Sequence, residues 1–250
     1  MDEGRPLIPR SAGFVRTMDA RSLRSLRELT GAGMGPGKCE KEVVIPCDLV
    51  YLKGILGLPP NPKGIVVFAH GSGSGRLSPR NNFVAKVLQD SGIATLLVDL
   101  LEESEALDRR KVFDIDLLAD RLLANARWLP RQPETKGLML GYFGASTGAA
   151  AALQAAAREP TEVAAVVSRG GRPDLAMDDL HKVRAPTLLI VGGDDTPVIP
   201  LNEAAFARLR CEKEMVIVPG ASHLFEEPGT LEKVAKFARD WFVKYFVSRA

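Results

Sequence analysis

Cysteine is scarce in this 250-residue chain: Cys39, Cys47 and Cys211 are the only three. Their odd number and the lack of a C-x-x-C pair exclude a disulfide framework and fit a reducing, cytoplasmic setting. Histidine is equally rare, at His70, His181 and His223. No clustered His/Cys spacing is present, so no metal site is expected. Net charge is nearly absent, at +2, which removes the electrostatic footprint of a nucleic-acid binder. No apolar run approaches bilayer length, so no membrane association is expected. The N-terminus also lacks the continuous apolar core of a secretory signal.

What the chain does have is an ordinary globular composition, 46% hydrophobic and 26% charged. Its length suits one large domain or two small ones, and a single domain of this size buries a full core without staples. Residues 1–38 read as a loose leader. Arginines and serines give it some likeness to an organelle transit peptide, against which Asp2 and Glu3 argue. Within it "SLRSLREL" (22–29) predicts a short helix with Leu23, Leu26 and Leu29 on one side. "GAGMGPGK" (31–38) then breaks the chain, and a domain is expected over 39–250.

From there strands and helices alternate. "KEVVIPC" (41–47) and "LVYLKGILGL" (49–58) predict a hairpin, and "IVVFAH" (65–70) a buried strand. A helix follows over 80–90, with Phe83, Val84, Val87 and Leu88 expected inside. Further strands are read at 93–100, 137–143, 162–170, 186–193 and 214–220, and helices at 114–128, 147–158, 201–209 and 230–246. This alternation predicts an α/β fold, a mostly parallel sheet with helices on both faces. Only 100–113 is long enough for a small flap, so little or no lid is expected.

In such sheets ligand sites lie beyond the carboxyl ends of the strands. "GASTG" puts Ser146 between Gly144 and Gly148 at one such end. A sharp strand-to-helix turn brings backbone close on both sides, and glycines remove the clashing side chains. This is the pattern of a nucleophile elbow. Taken alone, the pentapeptide reads equally well as a plain tight turn, and three other segments decide between the two. "AHGSGSGR" (69–76) can supply one oxyanion-stabilising N–H from Ser72 or Gly73, with the other from Thr147. "GGDDTPV" carries Asp195 at a Gly192-x-x-Asp195-x-x-Val198 spacing, preferred to the adjacent Asp194 as the acid that orients a histidine. His223, between the last strand and the last helix, completes the chain order Ser146, Asp195, His223.

At these residues the sequence resembles the α/β-hydrolase superfamily, within it the dienelactone-hydrolase-like group, over nearly all of 40–247. The resemblance implies an eight-stranded sheet whose first strand pairs are antiparallel. It also implies carboxylic-ester hydrolysis through an acyl-enzyme, with no cofactor. Dienelactone hydrolases proper carry cysteine at the elbow, where this chain has Ser146. The expected activity is therefore a general serine esterase on a small-molecule ester of short to medium acyl chain. "HGSGSGRLSPRNN" and "SRGGRPDLA" also look like segments of small hydrolase domains found fused to phosphoribosyltransferases; no phosphoribosyltransferase segment is read in this chain.

Alternatives stay open at this point. The same triad serves a lactone hydrolase, an acyltransferase or a peptidase. "GSGSGR" with Asp99 at a strand end also reads as a nucleotide cradle in a binding module, and a non-catalytic scaffold is a further choice. Arg76, Arg169 and Arg172 are candidates for binding a substrate carboxylate, each weighed against a plain surface role. Homo-oligomerisation is left open.

Overall fold

The computed structural model describes residues 39–159 and 161–247; the leader and the helix expected at 22–29 lie outside them. An antiparallel hairpin, β1 (Cys39–Cys47) and β2 (Val50–Leu58), opens the fold. Then follow β3 (Gly64–Ala69), α1 (Pro79–Asp90), β4 (Ala94–Val98), the short α2 (Arg109–Val112), α3 (Ile115–Trp128), β5 (Met139–Ala145) and α4 (Thr147–Arg158). The chain continues through β6 (Val163–Arg169), β7 (Thr187–Gly192), α5 (Ile199–Arg208), β8 (Lys213–Val218) and α6 (Thr230–Val247). The eight strands form one open sheet in the order β1-β2-β4-β3-β5-β6-β7-β8. The β1–β2 and β2–β4 pairs are antiparallel and all others parallel.

Every residue of β3, β4, β6 and β7 is buried, as a parallel sheet covered on both faces requires. One core, with α3 and α4, contains Val67, Tyr142, Leu122 and Leu153; the other, with α1 and α6, contains Phe68, Phe143, Leu88 and Phe242. The alanines of "GAAAALQAAA" let α4 lie close on the sheet, with eleven of its residues buried. Capping follows the sequence: the Asp114 carboxylate accepts the Leu117 N–H at 3.0 Å and starts α3. Ser78 precedes Pro79, which sits in the first turn of α1.

One expectation fails. Phe83 is exposed (37%) rather than buried, and the inner face of α1 is formed by Asn81, Val84, Ala85 and Leu88. Those four recur at helical spacing on one side, and Phe83 falls on the other. Of the segment expected to form a flap, Glu105–Leu107 makes a 3-10 turn and Arg109–Val112 the short α2. No helix among the described residues is long and apolar enough to cross a membrane.

Candidate active site

Ser146 stands between β5 and α4 with φ 51° and ψ −125°, a conformation that side-chain-bearing residues rarely adopt. The glycines around it stand in tight surroundings. A Cβ on Gly148 would stand 2.2 Å from the Ala69 carbonyl oxygen, and one on Gly144 2.4 Å from the Ala149 Cα. Three backbone hydrogen bonds hold the strained peptide. The Ser146 N–H donates to the Arg169 carbonyl at 3.3 Å, and the Ser146 carbonyl accepts from Ala149 (3.1 Å) and Arg172 (3.0 Å). The elbow is thus held between its own helix and the end of β6.

His223 lies in the loop from β8 to α6, and its Nδ1 is 2.7 Å from an Asp195 carboxylate oxygen. The carboxylate accepts, so Nδ1 carries the hydrogen and Nε2 is left as the basic nitrogen of the neutral ring. Asp195 is buried (7% exposed), whereas Asp194 is exposed and engages the loop only through its backbone N–H to the Ala221 carbonyl. Geometry therefore separates two neighbours that spacing alone could barely rank. The end of β7 packs directly on the histidine loop: a Cβ on Gly192 would lie 2.3 Å from the Ala221 carbonyl oxygen. Glu227 reaches back to accept the Ser222 N–H at 3.0 Å, and hydrogen bonds from the Ser222 side chain and backbone hold its carboxyl below the usual range. Gly170, just past β6, touches His223, and the register of β5 with β6 sets Ala145 opposite Arg169. The serine and histidine segments thus meet at two adjacent strand ends. Among the described residues Ser146 Oγ and His223 share no hydrogen bond; such bonds often form only with substrate bound.

Ser72, Gly73 and Thr147 line one cavity of about 340 Å³, together with apolar Leu101, Ala106 and Val112. Ser146, Asp195 and His223 do not themselves line it. Gly71 abuts the serine, since a Cβ there would come 2.8 Å from the Ser146 Cβ. His70 anchors this loop. Its Nε2 accepts the Leu100 N–H at 3.0 Å, so Nδ1 carries the hydrogen toward the Gly71 carbonyl, also at 3.0 Å. Burial pushes the His70 pKa down, which keeps the ring neutral and the pair of bonds intact. Asp99 accepts the Arg76 N–H and forms an ion pair with the Arg76 guanidinium. The carboxylate that a nucleotide ribose would need is already committed to the loop. A larger cavity, about 580 Å³, lies at the opposite end of the sheet, at the amino ends of β3 and β5 beside Ile65, Leu140 and Arg158.

The model of the Dienelactone hydrolase family matches residues 52–246. The chain belongs to the dienelactone hydrolase family. It is 56% identical to a dienelactone hydrolase from Anabaena variabilis whose crystal structure superposes with a TM-score of 0.81, covering 83% of this chain and 98% of that one. It is also 56% identical over 214 residues to the Mycobacterium tuberculosis protein named "Putative phosphoribosyl transferase Rv0571c", a match that covers 86% of this chain and 48% of that protein. The chain thus spans about half the length of the curated relatives it matches. XC6422 from Xanthomonas campestris, described as an α/β serine hydrolase without lid, is 20% identical at a TM-score of 0.68, over 85% of this chain and 96% of that one. At that identity the likeness shows the fold alone.

In this family member the three arginines named as carboxylate binders are all engaged inside the protein. Arg76 pairs with Asp99, and Arg172 makes a two-pronged ion pair with Asp174 at 2.8 Å. Arg169 is buried, and its guanidinium donates to the Leu224 carbonyl and the Asn81 side chain. Sequence reasoning missed Glu227 and the inward turn of Arg169. Glu227 stands four residues after His223, where a carboxylate can reach back into its own loop, but nothing in the spacing separates it from Glu226 beside it. The only signal for Arg169 is its place at the end of a strand whose other residues are all apolar or small.

Proposed function

We propose that this protein is a serine hydrolase that cleaves carboxylic esters of short to medium acyl chain through an acyl-enzyme. The observation that carries the reading is Ser146, held at φ 51° between β5 and α4, together with a His223–Asp195 couple at 2.7 Å whose loop packs on Gly170, beside the strand end that holds the serine peptide. Asp195 fixes the proton on Nδ1, so Nε2 takes the Ser146 proton as the oxygen attacks the ester carbonyl. Backbone N–H groups at Ser72 or Gly73 and at Thr147 stabilise the tetrahedral oxyanion, each worth about 3–4 kcal/mol when lost. The protonated His223 then donates to the leaving alcohol, and Nε2 next activates water for deacylation. The neutral, anchored His70 keeps the oxyanion loop in place and takes no proton itself.

The cavity that adjoins the serine at Gly71 and Thr147, at about 340 Å³, is at the small end of ligand pockets, and an acyl group extending from Ser146 into it would be short or medium. Its walls at Leu101, Ala106 and Val112 suit an aliphatic acyl chain. Lactones are cyclic esters and fall within the same chemistry. The nucleotide-cradle reading finds no support at Asp99, whose carboxylate is taken by Arg76.

The test is hydrolysis of p-nitrophenyl esters from acetate to long acyl chains, with a lactone in parallel, by the protein and by Ser146→Ala. We expect turnover that peaks at short or medium chains and falls to background in the variant, which keeps its thermal unfolding profile. Equal inactivity of both proteins on all esters and lactones would refute the reading.

A further inference from the structure

We infer that Arg169 is a positioning residue of the hydrolase proposed above: it ties the strand end that holds Ser146 to the loop that carries His223. The inference rests on that reading of the site but starts from an anomaly. Arginine is among the residues least often buried without a charged partner. Arg169 is 7% exposed, yet among the described residues its neighbours include the Arg80 cation and no paired carboxylate. Its Nη1 donates to the Leu224 carbonyl at 3.5 Å and its Nη2 to Asn81 Oδ1 at 3.4 Å, and its buried Nε has no partner among the described residues. Burial, and then the nearby Arg80 charge, push its pKa down to about 10, so the group remains a cation at neutral pH without an ion pair to stabilise it.

The position of the residue accounts for this arrangement. Leu224 follows His223, and Phe225 after it is buried in a left-handed conformation, φ 56°. The Leu224 carbonyl beside this bend has an external hold. Arg169 supplies it from β6, while the ring itself is tethered at Nδ1 by Asp195. The same stretch of chain reaches the nucleophile. The Arg169 carbonyl accepts the Ser146 N–H, and the Arg172 N–H donates to the Ser146 carbonyl. Gly170, between them, has φ 50° and lies so close to the histidine loop that a Cβ would meet the His223 carbonyl at 2.8 Å. Residues 169–172 therefore grip the serine peptide with backbone and the histidine loop with a side chain. Asn81, in the first turn of α1, holds the second prong of the guanidinium. A planar, multi-donor head on a long stem can serve both acceptors at once, which an ammonium does less well.

The experiment compares the full chain with Arg169→Gln and Arg169→Lys. It reads kcat and KM on a neutral acetate ester and on a hemisuccinate ester of the same alcohol, together with thermal unfolding. It also reads the low-field proton resonance of the His223 Nδ1–H, which needs no substrate. A misplaced base costs up to about 10²-fold in rate. We expect Arg169→Gln to lower kcat by roughly 10- to 100-fold on both esters with KM little changed, and to shift or broaden the His223 resonance while the fold is kept. Arg169→Lys should regain part of the rate. Should Arg169→Gln fail to fold, Asn81→Ala, which removes one anchor of the guanidinium, is expected to lower kcat and move the same resonance to a lesser degree. A loss confined to KM on the hemisuccinate ester would overturn the inference in favour of a substrate-binding cation. Unchanged kcat with an unmoved His223 signal, in Arg169→Gln or in its substitute Asn81→Ala, would also overturn it. If the parent protein hydrolyses no ester, the hydrolase reading fails by itself, and the resonance alone decides whether Arg169 sets the His223 loop.

Discussion

Around Ser146 the chain is shaped by side chains that are absent. Gly144 and Gly148 leave room for backbone to pass within 2.2–2.4 Å of where a Cβ would stand, and Gly71 leaves room for the Ser146 Cβ at 2.8 Å. Around His223 it is shaped by side chains that are present. Asp195 holds the ring, Glu227 holds the Ser222 N–H, and Arg169 holds the Leu224 carbonyl. The first arrangement is steric, written into the residue types of two short segments, "GASTG" and the "HGSG" loop it packs on. The second is assembled from β6, β7 and the loop itself, and depends on hydrogen bonds that cross long stretches of sequence. Two kinds of fragility follow: steric damage at the elbow should act on the fold, and polar damage at the histidine loop should act on the rate.

The largest effect is expected from Asp195→Asn. The amide leaves the histidine loop packed but no longer enforces the Nδ1–H tautomer, so kcat should fall by about 10⁴-fold while thermal unfolding stays close to that of the parent. A matching loss of stability would break the contrast, because it would make Asp195 a structural residue first. Next comes Gly148→Ala. A methyl aimed at the Ala69 carbonyl from 2.2 Å should destabilise by about 3 kcal/mol or more, read as a lower urea midpoint, since rigid backbone cannot yield as a side-chain tip would. A fully stable Gly148→Ala would mean that the elbow tolerates what its geometry forbids.

A smaller effect is expected from pH at His70, which stands between the two regimes as a side chain anchoring a glycine loop. Its pKa is lowered in the fold from an ordinary value of 6.5. The unfolded chain takes up a proton as pH falls through 6.5, whereas the folded chain resists until lower pH. His70 thus favours the fold above 6.5, and that advantage is lost as pH drops through its folded value. Compared with the non-titrating His70→Gln, the parent should be more stable at pH 8, and the gap should narrow at pH 5 in urea unfolding. A gap that widens on acidification would contradict the tautomer assigned from the Leu100 and Gly71 bonds. The smallest effect is expected from Asp194→Asn. Its carboxylate is exposed and only its backbone N–H engages the loop, so kcat and stability should both stay near those of the parent. A large rate loss there would reverse the assignment of the acid.

The division between absent and present side chains also marks what is legible in the amino-acid sequence. Alternation of apolar runs with helical periods carried the eight strands and the main helices, because a doubly covered parallel sheet demands unbroken apolar strands such as "IVVFA" and "VAAVV". It misplaced Phe83, since a period alone leaves the rotation of a helix to whatever packs on it. The glycines of "GASTG" and "HGSG" announced a close approach of backbone, and the chain order supplied a histidine and two aspartates.

What only the tertiary structure decided depends on which way a polar side chain turns. Asp195 turns inward to His223 while Asp194 faces solvent. Arg76 and Arg172 fold onto carboxylates, and Arg169 turns beneath the histidine loop to reach a backbone carbonyl fifty-five residues away. Steric demands are satisfied by the residue types themselves and so are visible in a linear string. A hydrogen bond between distant residues exists only once the strands that carry them have been placed side by side, and that placement is made by the fold.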